Sequence, residues 1–308
     1  VAQKTIVLLK NDGILPLDPQ AQKTIGIIGP NANNRKALEG NYEGTASRYT
    51  TISEGIQNAL EDTDTRILFS EGCHLYNDYF SNLGEHNDRK SEVQAVCEAS
   101  DVIIAVMGLD PGLEGEEGDQ GNQFASGDKP DIKLPGLQRE TLELIYSYEK
   151  PVILIHLSGS AIALDQDDQH ASAILQAWYP GAEGGNAVAD ILFGKANPQA
   201  KLPVSFYSES YELPDFEDYS MKHRTYRFQA DDILYPFGFG LSYSDFKQSD
   251  AKAEFKDGVL NIKTTIENTG DRAGSETVQV YVHAPEFDTP FPQLRGIQTV
   301  QLEAGEAK

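Results

Sequence analysis

Three glutamates, Glu114, Glu116 and Glu117, crowd one short part of a stretch, Asp110 to Gly136, that reads DPGLEGEEGDQGNQFASGDKPDIKLPG. Like charges held close together disfavour ionisation, so one carboxyl of such a group can keep its proton near neutral pH. Glycoside hydrolysis needs that equipment: one protonated carboxyl for the departing oxygen and one ionised carboxylate across the bond. The same composition equally suits a solvated acidic loop, and physics alone does not choose among the three glutamates. Other chemistries fit less well. Gly26 and Gly29 follow an apolar run, but the Gly-x-Gly-x-x-Gly spacing is absent and Pro30 stands where the helix should open. Gly181, Gly184 and Gly185 could present N–H groups to an anion, yet they suit a tight strand-to-helix turn better. Ser158, in Leu157-Ser-Gly-Ser160, is not in a nucleophile elbow. The six histidines are scattered without ligand spacing, so no metal and no cofactor is expected.

The elements around the acidic stretch decide what it can reach. The apolar run Val102–Gly108 ends directly before it, and a helix is predicted to open at Pro135, where proline costs least. Thr24–Gly29, Arg66–Ser70, Val152–Leu157 and Ala173–Trp178 are further strand candidates. Between them, Ile52, Ile56, Ala59 and Leu60, with Ser53 as cap, make one helix face. Val93, Val96 and Cys97 make another, Leu137, Leu144, Ile145 and Tyr148 a third, and Asn186–Phe193 is a fourth helix. The alternation predicts an α/β fold, a mostly parallel sheet sandwiched by helices. Ligands of such sheets bind beyond the carboxyl ends of the strands, which is where the acidic stretch hangs.

The flanks read differently. Val1, Ile6, Leu8 and Leu9 resemble the tail of a helix entering from upstream, followed by the turn Asn11-Asp12-Gly13, so residues 1–22 read as a connector and 23–206 as the α/β domain. Residues 207–246, rich in Tyr, Phe, Pro and Gly, read as an extended strap. In 247–308 the period becomes two: Leu260, Ile262, Thr264 and Ile266, a turn at Asn268–Asp271, then Val278, Val280 and Val282, predicting a hairpin of a partial all-β domain. Its roughly sixty residues fall short of the about 100 of a complete sandwich, so the chain is expected to be cut at both ends. A net charge of −23 argues against nucleic acid and anionic membrane surfaces as partners, and leaves a neutral sugar as a natural one. No stretch approaches the roughly 20 apolar residues of a membrane span. Cys73 and Cys97 make no disulfide framework, and Cys97 is expected as a buried hydrophobe.

Motifs in a fixed order carry a resemblance. Thr5-Ile-Val-Leu-Leu-Lys-Asn11 with Leu15-Pro-Leu17, Ile28-Gly-Pro-Asn-Ala32, Ala173-Ile-Leu-Gln-Ala-Trp-Tyr-Pro-Gly181, Leu202-Pro-Val204, Tyr235-Pro-Phe-Gly-Phe-Gly-Leu-Ser-Tyr243 and Glu267-Asn-Thr-Gly270 follow one another along nearly the whole chain. Together they resemble the C-terminal part of glycoside hydrolase family three, of the β-xylosidase and β-glucosidase kind. The resemblance implies an upstream barrel carrying an aspartate nucleophile, then this α/β domain, then a fibronectin type III-like domain. It implies a retaining exo-acting β-glycosidase whose partner is a β-linked oligosaccharide, in a periplasmic or extracellular setting. The acid/base glutamate would come from the loop over the barrel's sugar pocket, and Gly115-Glu116 matches the family setting best, making Glu116 the expected residue. The family's Gly-Asp-Arg appears as Gly127-Asp128-Lys129, which leaves the pairing role of the cation open. Asn41-Tyr-Glu-Gly44 and Leu113–Glu117 incline the reading toward xylose. Without the nucleophile, the 308 residues alone are expected to be inactive; the competing reading is a non-catalytic carbohydrate-binding or scaffolding module.

Overall fold

The computed structural model describes the chain apart from residues 41–43, 82–83, 116–128, 130, 213, 216, 230, 285 and 287–289. Its centre is a sheet of β1 (Val7–Asn11), β2 (Thr24–Ile28), β3 (Arg66–Ser70), β4 (Val102–Gly108), β5 (Val152–Leu157) and β6 (Ala173–Gln176). The spatial order is β1-β6-β5-β4-β2-β3. β1 runs antiparallel to β6, and every other pairing is parallel. β4 and β5 are buried along their whole length, which is why they read as apolar runs, interrupted in β5 by His156 alone.

Helices α1 (Ile52–Ala59), α2 (Lys90–Ala99), α3 (Gln138–Tyr146), α4 (Asp165–His170) and α5 (Gly184–Leu192) complete the α/β layers. Successive strand side chains point to opposite faces. Ile104 and Ile155 therefore pack with Ile52, Ile56, Val188 and Ile191 of α1 and α5. Ile103 and Leu154 pack with Val93, Cys97, Leu142 and Ile145 of α2 and α3. Both cysteines are buried and free, and burial pushes each thiol up to about 11.

α1 starts at a capping box, Thr51 with Glu54, rather than at Ser53. It crosses α5 where Gly55 meets Gly185: a Cβ on Gly185 would stand 1.9 Å from the Thr51 carbonyl oxygen. Backbone cannot yield as a side chain does, so Gly185→Ala is expected to part the two helices. The expected loss is about 1–3 kcal/mol, read as a lower urea midpoint; an unchanged midpoint would contradict the close crossing.

Four further local features differ from expectation. Val7, Leu8 and Leu9 form β1, an edge strand on β6, and not a helix tail, with Val1 and Ile6 outside the strand; a short apolar run carries no period that separates the two. α3 begins at Gln138, because Gly136 holds a left-handed φ of 57° and breaks the turn opened by Pro135. α4, Asp-Gln-Asp-Asp-Gln-His, was not expected at all.

The strap contains β7 (Phe206–Tyr207), α6 (Thr225–Phe228) and β8 (Ile233–Tyr235). Phe206 and Tyr235 enter the α2/α3 core, and the Leu241 N–H donates to the Leu8 carbonyl at 2.8 Å. Next come β9 (Phe246–Lys256), β10 (Val259–Asn268), β11 (Gly274–Val282) and β12 (Gln293–Leu302). The fourth difference is the hairpin: β10 pairs with β9, and β11 with β12, in two separate ribbons. Alternation sets the face of a strand but not its partner. The signal for the true hairpin is Asp257-Gly258, both at positive φ as a two-residue turn of this kind requires. Among the described residues no helix is long and apolar enough to cross a membrane.

Candidate functional site

The site begins where β4 stops. Gly108 takes a φ of 131°, and a Cβ there would lie 1.9 Å from the Leu157 carbonyl oxygen, so only glycine lets the chain turn off the sheet at this point. The buried side chain of Gln138 closes the strand end as a further strand would: its Oε1 accepts from the Gly108 N–H at 2.7 Å. Its Nε2 donates to the carbonyls of Gly108 and Leu75, each at 2.8 Å. The Leu109 N–H reaches the Leu157 carbonyl at 2.7 Å. A turn on Asp110 follows, with Gly112 N–H donating to its Oδ1 at 2.8 Å and Leu113 N–H to its carbonyl at 3.0 Å. This delivers Glu114 over the ends of β5 and β6.

Glu114 is held there from several sides. Its Oε2 accepts from the Gly159 N–H at 2.5 Å and from the Tyr179 hydroxyl, and its Oε1 accepts from the Ser160 hydroxyl. Lys129 Nζ stands 3.8 Å from Oε1, with both side chains largely buried. Burial lowers the Lys129 pKa, against the opposing pull of Glu114 and Asp131. Burial, then the Glu114 charge, pushes the Tyr179 phenol far up, so it stays a donor.

Beneath this lies a second buried layer. His156 Nδ1 is 2.6 Å from Gln176 Oε1, which can only accept, so Nδ1 carries the proton. Gln176 Nε2 donates to the Ser158 carbonyl and hydroxyl, both at 3.2 Å. The Ser158 hydroxyl donates to the Ser160 carbonyl at 2.6 Å. Ser158 therefore has no free base beside it, and its work is to shape the turn that carries Gly159 and Ser160.

Of the glutamates named from sequence, Glu114 is the one whose place is described; Glu116 and Glu117 lie outside the described residues, as do Asn41 to Glu43, Gly127 and Asp128. The open question of Lys129 has an answer: it pairs with Glu114. Gly181, Gly184 and Gly185 sit in a turn closed by the Gly184 N–H on the Gly181 carbonyl at 2.8 Å. Sequence reasoning missed Gly159, Ser160, Tyr179, His156 and Gln138. Tyr179, Gly159 and Ser160 lay inside quoted motifs, but nothing local tied them to Glu114. Among the described residues no cluster of His, Cys, Asp and Glu could hold a metal ion.

Comparison with known proteins adds a family. The model of the glycosyl hydrolase family 3 C-terminal domain matches residues 6–243. A xylan 1,4-beta-xylosidase of Xylanibacter ruminicola is 46% identical over 226 residues, covering 72% of this chain and 26% of its own length. A periplasmic beta-glucosidase of Salmonella typhimurium is 34% identical, covering all of this chain and 43% of its own length. The chain thus spans less than half the length of these curated relatives. The solved structure of a beta-glucosidase from Erythrobacter marinus superimposes with a TM-score of 0.79 at 30% identity, over the whole chain and 43% of that protein. A GH3 exo-beta-xylosidase with a xylobiose aziridine probe gives 0.82 at 24% identity, over the whole chain and 42% of that protein, a likeness of fold.

Proposed function

The chain belongs to glycosyl hydrolase family 3, and on that premise we propose that it supplies the general acid/base of a retaining exo-acting β-glycosidase releasing terminal β-linked xylose or glucose. Xylose is the preferred sugar, because the relative at 46% identity is a xylan 1,4-beta-xylosidase. Glu116 is the proposed acid/base, and the aspartate nucleophile is assigned to a barrel upstream of this chain. The choice of Glu116 rests on its Gly115-Glu116 setting, and one observation supports passing over Glu114: Gly159, Ser160, Tyr179 and Lys129 already engage it as an anchor.

In this reading the aspartate attacks the anomeric carbon while Glu116 gives its proton to the leaving oxygen. Glu116, now ionised, then takes a proton from the water that hydrolyses the glycosyl-enzyme. The two carboxyl groups of such a retaining pair stand about 5–5.5 Å apart. The test is Glu116→Gln in the intact enzyme. Hydrolysis of xylobiose, whose leaving group needs a proton, is expected to fall about 10²–10⁴-fold. An aryl xyloside with an acidic phenol should lose far less in the glycosylation step. Equal losses for both leaving groups would overturn the assignment.

A further inference from the structure

We propose that the cleft between the chain just past β6 and the β11–β12 ribbon binds a neutral β-linked oligosaccharide. Among the described residues the cleft has a volume of about 680 Å³, and Trp178, Gln199, Pro203, Thr277, Ile297 and Thr299 are in its lining. That volume lies within the roughly 300–1,000 Å³ of small-molecule sites. Trp178 marks the cleft as more than a seam between two layers. Its backbone holds a left-handed φ of 58°, a strained conformation for a bulky residue that persists only where the surroundings impose it, and that gathers at ligand sites. The indole Nε1–H donates to the Thr5 carbonyl at 3.0 Å, and the ring meets that of Phe206 edge-on, with centroids 6.2 Å apart. The one polar group of the side chain is thereby used, so Trp178 offers the cleft only ring carbon. Ile297, 63% exposed, adds apolar surface on the ribbon side.

The polar part of the lining decides the ligand class. Thr277 and Thr299 stand opposite each other on β11 and β12, with their hydroxyls 3.1 Å apart. Gln199 adds an amide and Lys4 an ammonium. The Lys201 ammonium is already answered, by Glu276 on β11 at 3.4 Å and by the Gly240 carbonyl at 2.8 Å. Among the described residues no aspartate or glutamate lines the cleft, although the chain carries 48 of them. A cation would need those carboxylates, and a purely apolar ligand would leave hydroxyls and amide unpaired. A pyranose has an apolar C–H face and a rim of hydroxyls, and so meets both kinds of lining. The walls are also fixed before any ligand arrives. The Asn197 side chain, in the loop after α5, donates to the Ser244 hydroxyl at 2.9 Å and the Ala273 carbonyl at 3.1 Å. It accepts from the Ser242 hydroxyl and the Tyr243 N–H, both at 2.8 Å. That joins the α/β layers, the strap and the start of β11, so binding need not order the ribbon.

Calorimetric titration of the 308-residue chain with xylotetraose, and in a parallel arm with cellotetraose, is the test. Saturable binding is expected, and the stronger arm tells whether xylan or glucan is the source of the chain bound. Trp178→Ala should weaken it about tenfold or more. That change also removes a neighbour of the core residue Phe206, so a second variant addresses the other wall. Thr277→Val with Thr299→Val keeps shape and removes both hydroxyls, and should weaken binding about fivefold. Absence of saturable binding in both arms would overturn the proposal, as would wild-type affinity in both variants. Tighter binding of tetragalacturonate than of either neutral sugar would overturn it too, by making the cleft an anion site. Turnover plays no part in the titration, so its failure would leave the glycosidase reading to its own test by Glu116→Gln.

Discussion

Asp167→Ala is expected to destabilise the chain by about 3–5 kcal/mol, the loss that follows when one partner of a buried ion pair is removed. Asp167 is fully buried on α4. Its Oδ1 accepts from Arg139 Nη1 and its Oδ2 from Nη2, both at 2.8 Å, and Oδ1 also accepts from the Tyr146 hydroxyl at 2.8 Å. Burial, then the Asp167 charge, pushes the Tyr146 phenol far up, so it donates at any ordinary pH. Removing the carboxylate strands the guanidinium of α3 and the phenol together, each desolvated with no acceptor in its place. Asp167→Asn should cost less, since one acceptor oxygen remains. The double change Arg139→Met with Asp167→Leu should recover much of the loss, because it leaves no buried charge unpaired. Urea midpoints with slopes compared across the series provide the measurement. A single-variant loss below about 1 kcal/mol, the range of an exposed pair, would show that the site is wetter than its burial implies.

His156 sets the second large effect, a fall in stability toward acid. Burial lowers its pKa to about 4, partly offset by the hydrogen bond to Gln176. With Nδ1–H given to Gln176, protonation would add a second buried N–H at Nε2, which has no partner among the described residues. The unfolded chain takes up the proton near pH 6.5 and the folded chain only near 4, so between these values the unfolded state binds more protons. Stability is therefore full above about 6.5 and is lost as pH falls toward 4, by about 3 kcal/mol for this group. His156→Asn removes the titration while keeping a donor near Gln176. The difference in stability between wild type and variant should then change by about 3 kcal/mol across that window. Parallel pH profiles for the two proteins would refute the assignment of the titration to His156.

Much of the α/β layer could be read from residues alone. β2, β4, β5 and β6 announce themselves as near-continuous apolar runs because a strand covered on both faces admits a polar side chain only where a partner meets it, as Gln176 meets His156. α1 and α2 were legible through their apolar stripes, and the ordered motifs carried the family resemblance. α4 was not legible, since its sequence has no apolar stripe; Arg139 and Tyr146 of α3 hold it in place through Asp167. The partners of β10 and β11 were not legible either, since a period of two is silent about which neighbour a strand takes.

The sequence by itself determined the fold class, the family and a crowded group of glutamates at the end of a buried strand. These depend on local periodicity and on residue order, which a one-dimensional string records. Only the tertiary structure gave Glu114 its surroundings. Glu114 was equal to Glu116 and Glu117 on spacing, and became an anchor because Ser160 and Tyr179, from two other strand ends, converge on its carboxylate. Lys129 likewise acquired a partner only when both ends of its segment were brought to one place. Hydrogen bonds and charge pairs act over a few ångströms in space, whatever the distance along the chain, so the string could name Glu114 and Lys129 and the fold alone could bring them together.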